Sequence, residues 1–146
     1  MKFKLFIKPH AEEIVQAQVH QASTFTDQLA DFVKNDGRSG LLTVYNDTDL
    51  WQIPFEQITL ITIIIGKTYA ITNQNKKYLI RKRLYQLMEL VPDNFWQINK
   101  SSIANRKQIA RFTMDKEAGV NVIFKNGLTD YVSRRCFAKI RKELKS

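Results

Sequence analysis

Two short segments in the last third of this 146-residue chain carry residue types suited to holding a polyanion. The first, Asn94 to Ile109, reads NFWQINKSSIANRKQI, and the second, Val120 to Lys145, reads VNVIFKNGLTDYVSRRCFAKIRKELK. In the first, Lys100, Ser101 and Ser102 follow an apolar run and enter a turn. Hydroxyls, an ammonium and the free N–H groups of a turn are the donors that a phosphate accepts. The plainer reading makes Ser101 an ordinary helix cap and Lys100 a solvated side chain. Asn105, followed by Arg106 and Lys107, reads either as a turn residue of left-handed character or as a further polar contact, with structural use preferred over DNA contact. In the second segment Lys125 sits at a hairpin turn, and Ser133-Arg134-Arg135 immediately precede a basic helix. A guanidinium can bond O6 and N7 of guanine together, which discriminates by roughly 1–3 kcal/mol. Arginines at a helix start oppose its dipole, which favours a functional reason over two merely solvated side chains.

The charge distribution agrees. Residues 1–56 hold 5 Lys+Arg against 8 Asp+Glu, whereas residues 57–146 hold 18 against 6. The whole positive excess lies in the C-terminal part, which favours a polyanionic partner. An anionic membrane surface fits less well, because no basic amphipathic helix stands free of the apparent core. Glycine-rich, Walker, G-x-S-x-G and HExxH signatures are absent, so no catalytic residues, enzyme activity or cofactor are expected. His10, His20 and Cys136 lack metal-ligand spacing, and no metal site is expected. The lone Cys136 rules out an intrachain disulfide and fits a reducing compartment. The N-terminus MKFKLFIKPH lacks the apolar stretch of a signal peptide. The run Ile58–Ile65 is far shorter than the ~20 residues that span a bilayer. A cytoplasmic chain is expected. Phe95, Trp96, Phe112, Phe124 and Phe137 fall on apolar faces and read as core rather than as a base-stacking platform; Tyr69 and Tyr131 are open.

These residues need elements to position them. KFKLFI alternates and predicts a half-buried strand. Glu13 to Gln21 suits a strand or a helix, with strand preferred. Thr24 to Asn35 predicts a helix capped by Thr26, with Leu29, Phe32 and Val33 on one face. Asp36-Gly37 and Ser39-Gly40 mark a boundary. Beyond it the pattern is mostly β: two strands around Asn46 to Asp49, a central strand from Ile58 to Ile65, and further strands at Tyr69–Ile71 and Tyr78–Ile80. Arg81 to Val91 predicts a helix stopped by Pro92. Phe95 to Ile98 predicts a strand, and Ser101 to Lys107 a helical turn. Ile109–Met114, Val120–Phe124 and Leu128–Val132 predict strands, the last two joined at Asn126-Gly127. A basic helix from Arg134 to Leu144 closes the chain. The sum is mainly β with short helices, α+β overall.

In order and spacing, INKSSIANRKQI and FKNGLTDYVSRRCFAKI, preceded by IPFEQITLI, GKTYAITN and RLYQLMELVP, resemble the LytTR family of bacterial DNA-binding domains over about residues 41–146. The resemblance implies an elongated, mostly antiparallel β domain that puts loops, not a recognition helix, into successive major grooves of double-stranded DNA. By position it implies Lys67, Thr68 and Tyr69 in one loop and Lys100 and Ser101 in a second. Ser133, Arg134 and Arg135 form the third, with Arg135 reading bases. Lys125 matches a backbone-contacting position. Arg106, apolar in many relatives, adds a phosphate contact. Lys67-Thr68 stands where some relatives place a histidine, which leaves base preference at that end open. The resemblance further implies repeated half-sites, a homodimer on DNA and, as for short stand-alone members, an inhibitory membrane protein as partner. The roughly 40 residues ahead of the domain are too few for a phosphorylated receiver. Residues 1–40 are expected as a small strand-strand-helix segment for dimerisation or partner docking, and 41–146 as the DNA-binding domain. Two other classes fit the same residues. A protein-interaction adaptor partnered with a membrane regulator shows no salt-dependent duplex binding, and a single-strand or RNA-binding module prefers unpaired nucleic acid.

Overall fold

Strand-rich sequence after residue 40 builds two antiparallel sheets in the computed structural model, which describes residues 1–34 and 40–145. The boundary expected at Asp36-Gly37 and Ser39-Gly40 falls almost wholly outside the described residues. The elements of the first sheet are β1 (Leu41–Asn46), β2 (Asp49–Pro54), β3 (Ile58–Ile64), β4 (Lys67–Thr72), β5 (Lys77–Ile80), β6 (Phe95–Asn99) and β7 (Ser102–Asn105). They lie in the order β2-β1-β5-β4-β3-β7-β6. β8 (Ile109–Asp115), β9 (Gly119–Phe124) and β10 (Thr129–Val132) form the second sheet in the order β10-β9-β8. Among the described residues three α-helices accompany the sheets: α1 (Thr24–Lys34), α2 (Leu84–Leu90) and α3 (Arg134–Leu144).

β3 is central because both its faces are apolar, as an interior strand requires. On one face Ile58 and Ile61 join Ile80, Ile103 and Phe95 beneath Leu84 and Leu87 of α2. On the other, Leu60, Trp96, Ile98 and Ala104 meet Val122, Phe124 and Val132 of the second sheet and Ile140 of α3. The long sheet therefore carries α2 on one side and the short sheet with α3 on the other. The Asn126-Gly127 hairpin forms as its sequence predicts, with Gly127 at φ 90. Asn126 also donates to the Thr72 carbonyl at 3.1 Å and to Thr59 Oγ1 at 3.3 Å, which clips the short sheet to the long one.

The structure corrects the reading at four places. Ser101–Lys107 is not a helical turn. Ser102–Asn105 is β7, inserted between β3 and β6, and only Arg106–Gln108 makes a short 3-10 turn. All four β7 residues are buried, so pairing and burial on both sides overrode the polar, turn-like composition. Helix α2 begins at Leu84 rather than Arg81, because Arg81 continues out of β5. The cap of α1 is also displaced: Thr26 Oγ1 accepts the Ser23 N–H at 2.9 Å and donates to the Ser23 carbonyl at 2.8 Å, so Thr26 lies inside the helix and Ser23 precedes it. Finally, neither N-terminal strand forms. Phe3, Leu5 and Ile7 alternate as a strand should, yet they are 87%, 71% and 81% exposed. Without an edge to pair with or a face to bury, nothing offsets the entropy of ordering the segment.

Candidate nucleic-acid interface

The strand register decides which loops share a surface. β3 and β4 join through the two-residue turn Ile65-Gly66, with Ile64 opposite Lys67. β6 and β7 join at Lys100-Ser101, and Thr62 of β3 lies opposite Ser102 of β7. The Ile63 N–H donates to the Ser101 carbonyl at 2.9 Å, so both turns stand at the same end of the sheet. The Ser133 N–H donates to the Ile98 carbonyl at 2.8 Å, which brings the start of α3 to that end as well. Segments nearly 70 residues apart in sequence thus meet along one rim. Lys67 and Ser102 stand two strand spacings and two residues apart, about 12 Å.

A buried polar network fixes the middle of this rim. Asn99, 1% exposed, accepts the Ser101 N–H on Oδ1 at 2.8 Å, which closes the turn around Lys100. Its Nδ2 donates to the Tyr131 carbonyl at 2.8 Å and to Asp130 Oδ1 at 3.3 Å. Ser102 Oγ donates to Asp130 Oδ2 at 2.6 Å and lies 2.8 Å from Thr62 Oγ1. Asp130 therefore ties β3, β6–β7 and β10 together directly beneath the exposed Lys100. Ser133 caps α3 by accepting the Cys136 N–H at 3.2 Å. That sets the first turn of α3 rigidly while Arg134 and Arg135 stay exposed.

The structure brings Lys67, Thr68, Lys100, Ser101, Ser133, Arg134 and Arg135 to the rim. Tyr69 is near it but engaged on the sheet face, with Lys77 Nζ 4.7 Å from its ring centroid. Two expected contacts are elsewhere. Lys125 is at the opposite end: its neighbour Asn126 is bonded to Thr72, five residues down β4 from Lys67, or about 17 Å away. Arg106 follows the far end of β7, away from the rim, its guanidinium 5.1 Å from the Trp96 ring centroid. Asn105 is fully buried as a structural residue: it donates to the Ile58 carbonyl at 2.8 Å and accepts from Asn94 and from the Lys107 N–H.

One set of residues escaped the sequence reading. Ile80 lies opposite Thr68, so β5 ends on the same rim, and Arg81, Lys82 and Arg83 emerge there. With Gly66, Lys67 and Thr68 they line an open groove of about 680 Å³. The Arg81 guanidinium sits 4.2 Å from the Tyr45 ring centroid, which holds it in place. A run of three cations between a strand and a helix was visible, but only the register shows which end of the sheet it joins. Among the described residues no cluster of His, Cys, Asp and Glu is arranged to hold a metal ion, and no helix is long and apolar enough to cross a membrane. The three helices are separated by strands, so no helix-turn-helix pair is present among them.

Over 145 residues the chain is 26% identical to an uncharacterised HTH-type transcriptional regulator of Staphylococcus aureus strain MRSA252, covering 99% of this chain and 98% of that one. A regulator of the same description in strain N315 matches equally. In fold, a LytTr DNA-binding domain from Bacillus cereus superposes with a TM-score of 0.67 at 21% identity, covering 73% of this chain and 97% of that one. The family model for the LytTr DNA-binding domain matches residues 48–145, from the turn of the first hairpin to the end of α3, and the chain therefore belongs to the LytTr DNA-binding family.

Proposed function

We propose that this chain is a cytoplasmic, sequence-specific transcription regulator that binds double-stranded DNA across the rim, with loops entering the major groove. The supporting observation is the convergence of Lys67, Lys100 and Arg135 on one rim, through registers no local sequence motif enforces. In this reading Lys67, Lys100 and the groove cations Arg81 to Arg83 bind phosphates, Ser101 and Thr68 add hydroxyl contacts, and Arg135 reads a guanine. Arg134 flanks it on the backbone. Lys125 and Arg106 take no part, because they stand away from the rim. Two copies occupy repeated half-sites, and residues 1–40 join them or dock an inhibitory membrane partner.

A selection of duplexes from a random pool supplies the target, and fluorescence anisotropy then tests the assignment. Arg135→Ala is expected to weaken target binding by roughly 1–3 kcal/mol and to relax preference at one base pair. Lys125→Ala is expected to leave both affinity and salt dependence unchanged. Equal binding of the selected and scrambled duplexes by Arg135→Ala and by the unaltered chain, or a preference for unpaired strands, refutes the reading. The regulator names of the Staphylococcus aureus relatives point the same way.

A further inference from the structure

The turn between β3 and β4 contains a residue that suits neither the backbone nor the core. Ile65 and Gly66 have φ of 49 and 75, so both central positions of this two-residue hairpin are left-handed. Such turns favour asparagine, aspartate or glycine at the first position and glycine at the second. Gly66 fits, and Ile65 does not: a β-branched side chain at positive φ crowds its own carbonyl. The same chain shows the usual solution twice, since among the described residues the other non-glycine residues at positive φ are Asp47 and Asn75. Nor does packing compensate, because Ile65 is 97% exposed. Its sec-butyl side chain therefore has no use within the folded chain, although it costs the fold strain to display it.

Its location supplies the use. Ile65 is the tip of the loop that carries Lys67, and the strand just below it is bonded to Ser101 of the neighbouring loop. We infer that Ile65 is a specificity-determining residue that packs against the C5-methyl group of a thymine in the major groove. The methyl group is the apolar feature that base edges offer there, and the flanking cations hold the tip in place on the phosphates. The inference rests on the duplex-binding reading above and adds to it a base type and an apolar mode of readout.

The test removes single methyl groups. In the selected duplex each thymine is replaced in turn by uracil, and affinity is measured for the full chain and for Ile65→Gly. The unaltered chain is expected to lose about four-fold at one thymine per half-site, the worth of one buried methyl. Ile65→Gly is expected to bind the thymine and uracil forms alike. Ile65→Asn is expected to raise the Tm by roughly 3 °C through relief of the left-handed strain. Intact, salt-dependent binding with no effect of any uracil overturns this inference alone, as does an Ile65→Gly variant that keeps the methyl preference. Absence of duplex binding by the unaltered chain overturns the parent reading and this inference together.

Discussion

Two buried asparagines separate support of the interface from support of the fold. Asn99 and Asn105 are 1% and 0% exposed, and each uses both its carbonyl and its amide. Asn99 holds the Lys100 turn, whereas Asn105 joins the far end of β7 to the segment around Ile58. Replacing either by alanine strands buried backbone partners, each worth roughly 1–3 kcal/mol. Both variants are expected to lose about that much stability in urea titrations. Only Asn99→Ala is expected to weaken duplex binding by the folded protein, because only its loop lies on the rim. Equal affinities for the two folded variants end the argument. The structural role of Asn105 was legible as a preference over DNA contact, although not its backbone, which is extended at φ -82 rather than left-handed, nor its bond to the Ile58 carbonyl 47 residues away. That of Asn99 was not: its partners Asp130 and Tyr131 are 31 and 32 residues away, beyond any local spacing.

At the scale of elements, the sequence named most strands correctly and misjudged those whose fate depends on neighbours. Ile58–Ile64 reads as a strand from its own residues, being β-branched on both faces. Ser102–Asn105 is polar at both ends and becomes a strand only because β3 and β6 flank it. The N-terminal KFKLFI is the reverse case, a good strand pattern with nothing beside it. The same dependence on neighbours hid the basic groove. Arg81, Lys82 and Arg83 gain meaning because β5 ends opposite Thr68. Each phosphate contact contributes about 0.9 to the slope of log affinity against log salt. A Lys82→Ala, Arg83→Ala double variant is expected to flatten that slope by roughly 2, for target and scrambled duplexes equally. Titrations at several salt concentrations check it, and an unchanged slope removes the groove from the interface.

The molecule as a whole is divided in charge and in packing. Residues 1–34 hold 4 lysines and 4 carboxylates, so two copies of this segment do not repel, while the rest of the chain carries the positive excess. Phe3, Phe6, Phe25 and Phe32 are 87%, 77%, 47% and 53% exposed. Together they present about 500 Å² of aromatic surface, a large part of the roughly 800 Å² that each partner contributes to a stable interface. Helix α1 buries no residue of its own. Deleting residues 1–34 is expected to leave single half-site affinity unchanged and to abolish the gain from a second half-site. Sedimentation of both forms on one-site and two-site duplexes checks this, and retained cooperativity assigns the segment another role. The clip between the two sheets has a further consequence, in chemical ageing. Asparagine followed by glycine loses its amide when the glycine nitrogen attacks the asparagine side-chain carbon. In the folded hairpin the Gly127 N–H is bonded to the Phe124 carbonyl at 3.0 Å, and Asn126 is held at both ends of its amide. The fold thus shields its own weakest covalent site, and the lifetime of Asn126 becomes a clock that runs only while the short sheet is detached.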